Sequence, residues 1–276
     1  MPRFRVCHIL QIAVALLCVL VLCPSAFAQE RLGVVLLHDK NGSPAKNEGD
    51  LERQLRNVGL QVIAPELPWS KRRGFDATYQ QALVEIGMAA QELRLGGCTR
   101  VALVGHGLGA NAALGFAASR TGVFAIVALA PSHDPDQHRE VFLPDVRKAR
   151  TMLDEGEGRR RSLFMDFNMD RDYDLSTTAE VYLSFNDPDG EAVMPRSCAK
   201  LIGHPPLLWV VGARDPLSHL GRYYAFSKAP ENPMSRYEEV SADHMGVPSA
   251  SARLVAQWLL DLMRTLPPDA PASAAP

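Results

Sequence analysis

Long apolar runs are scarce in this chain of 276 residues, and neither sign of charge dominates it. A formal net charge of -2 excludes a strongly basic nucleic-acid binder. Five cysteines are too few for a disulfide-dense mini-scaffold. No apolar run reaches the ~18 residues that argue for a membrane span. What is present, 47% hydrophobic and 22% charged residues, is the composition of an ordinary globular protein.

The N-terminus carries the layout of a secretory signal peptide. Arg3 and Arg5 make a positive start, residues 9–22 are apolar apart from Gln11, and Ala26-Phe27-Ala28 supplies an A-x-A cleavage site. Residues 1–28 are therefore expected to be removed, leaving an exported protein, periplasmic or secreted, with no stable membrane span after cleavage. Cys7, Cys18 and Cys23 leave with the signal. Cys98 and Cys198 remain in an oxidising compartment and could form one disulfide, although spacing does not show that they meet.

From residue 29 to 266 strands and helices alternate. Continuous apolar runs at 32–37, 101–104, 123–130 and 207–211 read as strands, as expected where both faces are covered, and further short strands are read at 61–64 and 237–240. Helices are predicted over 50–58, 76–95 (N-capped by Asp76, ended by Gly96-Gly97), 108–119 and 249–266. The rhythm predicts an α/β fold, one mostly parallel central sheet flanked by helices. Residues 131–206 show no strong strand and are read as a cap inserted over the sheet, with helices near 146–153 and 177–185. Residues 267–276 are rich in Pro and Ala and read as a flexible tail.

One motif holds most of the chemical information. Strand Val101-Ala102-Leu103-Val104 is followed by Gly105-His106-Gly107-Leu108-Gly109 and then a helix. Strand, G-x-x-x-G, helix is the setting of a nucleophile elbow, G-x-S-x-G. Here the sequence resembles the α/β-hydrolase superfamily, and three other segments resemble it in order. Residues 36–42 (LLHDKNG) look like the strand-to-loop segment that supplies an oxyanion-hole amide. Residues 211–216 (VGARDP) look like the segment carrying the acid, and residues 241–244 (SADH) like the loop carrying the histidine.

The resemblance implies Asp215 and His244 as acid and base, and Asp39 and Leu108 as oxyanion-hole positions. It places Gly107 where the nucleophile should stand. Glycine has no hydroxyl, so the nucleophile position is vacant and no acyl-enzyme can form there. His38-Asp39 also departs from the usual His-Gly and adds a carboxylate where negative charge is unwelcome. The leading expectation is a serine-esterase-like protein without serine catalysis, a pseudoenzyme binding a small molecule under the cap or a protein partner of unknown identity. The alternative is an active hydrolase of ester- or amide-like substrates, using Ser132 or an activated water with Asp215 and His244. A third is a partner-binding role with the crevice closed. His133, Asp134, Asp136 and His138 form a dense polar run without metal spacing. No metal or cofactor is expected.

Overall fold

The computed structural model describes residues 30–44, 46–169 and 171–267; the expected signal peptide and the tail from residue 268 lie outside them. Six strands form one parallel sheet in the order β2-β1-β3-β4-β7-β8. These are β1 (Leu32–Leu37), β2 (Gln61–Ile63), β3 (Arg100–His106), β4 (Ala125–Leu129), β7 (Leu207–Gly212) and β8 (Arg236–Val240). β1, β3, β4 and β7 are buried along their whole length, which is why they read as unbroken apolar runs.

Helices α1 (Gly49–Asn57) and α7 (Val247–Thr265) cover one face of the sheet. Helices α2 (Tyr79–Leu95) and α3 (Leu108–Ser119) cover the other. The cap of α2 differs from expectation. Thr78 accepts from the Gln81 amide and Gln81 reaches back to the Thr78 amide, a reciprocal capping box, while Asp76 pairs with Arg73. A threonine followed three residues later by glutamine was the stronger signal.

Between β4 and β7 stand α4 (Arg139–Asp154), β5 (Arg161–Asn168), β6 (Arg171–Thr178), α5 (Ala179–Asn186) and α6 (Met194–Cys198). The antiparallel β5–β6 hairpin corrects the expectation that residues 131–206 hold no strong strand. Most side chains of β6 are polar and half of them are exposed, so no apolar run announced it. Phe164 stacks on Tyr182 at 4.4 Å, and Phe167 packs edge-on against Phe142. Phe164 and Phe167 are therefore spent on helix packing, while Leu163 stays exposed.

The hairpin is fastened to the end of β1 by one buried cation. Lys40 Nζ lies 3.0 Å from Asp166 Oδ1 and donates to the Phe167 carbonyl at 2.7 Å. Tyr173 adds a hydrogen bond to Asp166 Oδ2 at 2.7 Å. Removing one member of such a pair leaves the other charge buried and uncompensated. Lys40→Met is expected to destabilise the fold by about 3–5 kcal/mol in urea unfolding, and Lys40→Met/Asp166→Leu by much less. Equal losses in the two variants would show that the pair is not what fastens the hairpin.

Cys98 and Cys198 are both free and buried. Cys98 donates to Gln61 Oε1, and Cys198 lies in α6. Among the described residues, no helix is long and apolar enough to cross a membrane.

Candidate active site

β3 ends at His106, α3 begins at Leu108, and Gly107 alone makes the turn between them. Its backbone has φ 54° and ψ -119°, a region that L side chains occupy only under strain. The turn is tight enough that a Cβ at residue 105 would strike the Gly109 carbonyl. Sequence reading placed Gly107 at such a bend.

Parallel strands bring the other expected residues to the same end of the sheet. β1 delivers His38 and Asp39, and the turn after β7 delivers Asp215. The loop after β8 delivers His244 at the start of a short 3-10 turn. His244 Nδ1 pairs with Asp215 Oδ2 at 2.9 Å, and Asp215 Oδ1 accepts from the Leu217 amide at 2.9 Å.

Asp39 departs from its expected part. Its residue was expected to offer a backbone amide, but its side chain fills the site instead. Asp39 Oδ1 accepts from the Leu108 amide at 3.0 Å and from the Lys40 amide at 2.6 Å. Asp39 Oδ2 lies 3.3 Å from His244 Nε2. A Cβ added at residue 107 would coincide with the Asp39 carboxylate. Two backbone donors and an imidazole thus converge on one internal carboxylate, at the position a nucleophile and its oxyanion would occupy.

Asp39, Asp215 and His244 are each less than 5% exposed. Burial alone would lower the His244 pKa, but hydrogen bonds to Asp215 and Asp39 outweigh it and raise it to about 10. Burial likewise opposes ionisation of Asp39, yet the His244 hydrogen bond and the charges of His106 and His244 hold its carboxyl well below the usual range. Both shifts act in the direction of a charged pair, an imidazolium at His244 beside a carboxylate at Asp39.

The supporting residues were hard to find in the sequence. His38 Nε2 accepts from the Leu67 amide at 3.1 Å, so its Nδ1 carries the proton and donates to the Asp39 carbonyl at 2.8 Å. Trp69 Nε1 donates to the His38 carbonyl. These bonds fix the backbone that aims Asp39. His106 Nε2 donates to the His244 carbonyl at 3.1 Å, while its Nδ1 pairs with Glu48 at 2.8 Å. Asp39, His106 and His244 bring ligand atoms within 4.8 Å of one another. Both nitrogens of each histidine are already committed, so a cation there would have to break those bonds.

Ser132 follows β4 and lines a cavity of about 20 Å³ with Lys40, Asp134, His138 and Leu217. That is room for about one water. No hydrogen bond joins Ser132 to His244, whose ring nitrogens face Asp215 and Asp39. The neighbouring polar run does not converge. His133 donates to the Phe185 carbonyl, Asp134 pairs with His138, and Asp136 accepts from Tyr224.

Solved structures share this architecture. A Paleococcus ferrophilus monoacylglycerol lipase is similar with TM-score 0.62 and 18% identity, over 83% of this chain and 94% of that one. Est1E from Butyrivibrio proteoclasticus, solved with ferulic acid, gives 0.57 and 17%, over 88% and 93%. The thioesterase domain from the curacin biosynthetic pathway gives 0.53 and 14%, over 84% and 92%. No curated protein sequence matches the chain. The family model described as "Alpha/beta hydrolase family" matches residues 34–258, from β1 into α7, and the chain belongs to that family.

Proposed function

We propose that this protein is an exported α/β-hydrolase-fold protein that has lost serine-type acyl transfer and keeps a carboxylate-centred site for a small molecule. The observation that carries the reading is the Asp39 side chain. It occupies the oxyanion amides and the space beside Gly107 that a serine hydroxyl would need. An ester carbonyl entering this site would meet a carboxylate in place of free donors, and no hydroxyl to attack it. The raised pKa of His244 favours its protonated form, the wrong state for a general base toward a serine. Residues 131–206 serve as the cap, with the Lys40–Asp166 pair closing the hairpin over the end of β1. Export rests on the N-terminal layout alone.

Purified protein is expected to remain unlabelled by a fluorophosphonate probe in gel fluorescence and in intact-mass measurement. Labelling mapped to Ser132 would overturn this reading in favour of a relocated serine hydrolase.

A further inference from the structure

Three buried side chains from separate segments meet where the end of β1, the end of β3 and the loop after β8 come together. Asp39, His106 and His244 bring ligand atoms within 4.8 Å of one another. In each of them one polar atom is already fixed by a partner outside the set. Asp39 Oδ1 accepts from the Leu108 and Lys40 amides, which leaves Oδ2 on the His244 side. His106 Nδ1 pairs with Glu48 Oε1 at 2.8 Å, and His244 Nδ1 with Asp215 Oδ2 at 2.9 Å. Both of these carboxylates are buried. A carboxylate on one nitrogen of each histidine, and hydrogen bonds on one oxygen of the acid, are what orients metal ligands and raises their basicity. We propose that Asp39 Oδ2, His106 Nε2 and His244 Nε2 bind one divalent transition-metal ion of the zinc class. The inference rests on the reading that residue 107 carries no chemistry and that Asp39 occupies its place.

The distances suit an ion better than a hydrogen bond. Asp39 Oδ2 lies 3.3 Å from His244 Nε2. A charge-assisted N–H···O bond closes to about 2.7–2.9 Å. Two ligands on one tetrahedral zinc, with bonds of about 2.0–2.1 Å, stand about 3.3 Å apart. His106 Nε2 faces the His244 carbonyl at 3.1 Å, and a metal would take that nitrogen. The carbonyl keeps a partner, because the Val247 amide donates to it. Binding therefore displaces the two longer contacts of the histidines and leaves the two shorter ones, to Glu48 and Asp215, intact. Gly107 serves the same arrangement. A Cβ there would coincide with the Asp39 carboxylate, so glycine makes room for the ligand.

The donor set selects the ion. One carboxylate with two imidazoles suits zinc and its neighbours, whereas calcium and magnesium take oxygen ligands. Three protein ligands leave a fourth position for water or for an oxygen of the bound small molecule. The ligands lie far apart in sequence, so the site exists only in the folded chain and metal binding stabilises the fold.

The test is refolding of the untagged full-length protein from urea with excess Zn2+, since all three ligands are closed off in the folded chain. After desalting, elemental mass spectrometry is expected to find about one zinc per chain. The urea midpoint should rise with free Zn2+. Asp39→Ala and His106→Gln are expected to lose the bound zinc, and Glu48→Gln to weaken it by about 10–100-fold. X-ray absorption at the zinc edge of the parent needs no variant to fold. It is expected to show two imidazoles and an oxygen at about 2.0–2.2 Å. Refolded parent without zinc, zinc retained by folded Asp39→Ala, or a sulfur neighbour at the zinc edge would each overturn the proposal. If the fluorophosphonate also leaves the protein unlabelled, only this inference fails; labelling at Ser132 would overturn the underlying reading with it.

Discussion

Gly107→Ser by itself is expected to leave the protein inert toward a fluorophosphonate, while Asp39→Gly/Gly107→Ser is expected to become labelled and to hydrolyse short p-nitrophenyl esters. The two positions compete for one volume. A Cβ at residue 107 would coincide with the Asp39 carboxylate, so the single variant must displace a buried ion from its donors. Backbone strain at φ 54° adds about 1–3 kcal/mol for any residue with a side chain. The single variant should therefore unfold at clearly lower urea. Removing the Asp39 side chain as well clears that space and returns the Leu108 and Lys40 amides to a substrate oxyanion. It also takes one carboxylate from His244, whose pKa should fall toward a value useful in a base. Esterase turnover is expected to exceed that of either single variant by at least ~10³-fold. Comparable activity in Gly107→Ser alone would show that Asp39 does not block the site.

The second large effect is in stability. His244→Ala leaves Asp39 and Asp215 buried without the cation between them. The expected loss is on the order of 3–5 kcal/mol at neutral pH. The pH dependence has a definite sign. His244 has a raised pKa in the folded state, so its contribution is fully present below its ordinary value near 6.5 and fades as pH rises through about 10. Asp39 has a lowered pKa, so its contribution is present above its ordinary value of 3.8 and is lost as pH falls below it. Urea midpoints of the parent should therefore be highest between about pH 4 and 6.5 and decline on both sides. The acid limb and the decline toward pH 10 should both flatten in His244→Ala. A variant that keeps the parent's alkaline decline would place that titration in another group.

The sheet was legible because its strands are covered on both faces. β1, β3, β4 and β7 are buried at every position, and apart from Arg100 and His106 at the two ends of β3 they carry no polar side chain. The hairpin β5–β6 was not legible, since only Phe164, Asp166, Leu175 and Thr177 among its residues are buried. Asp166 belongs inside only because Lys40, far away in sequence, reaches it. The same holds for Glu48, which reads as a loop acid until His106 is seen beside it.

The sequence by itself determined the α/β alternation, the bend at Gly107 and the absence of a hydroxyl there, because these depend on neighbours along the chain. It also brought Asp215 and His244 forward through the order of their segments. Only the tertiary structure decided what takes the vacant place. Asp39 looked like a flaw in an oxyanion loop when read alone. Its meaning depends on where β1, β3 and the loop after β8 end, and packing of the sheet puts those ends within hydrogen-bond reach of one carboxylate.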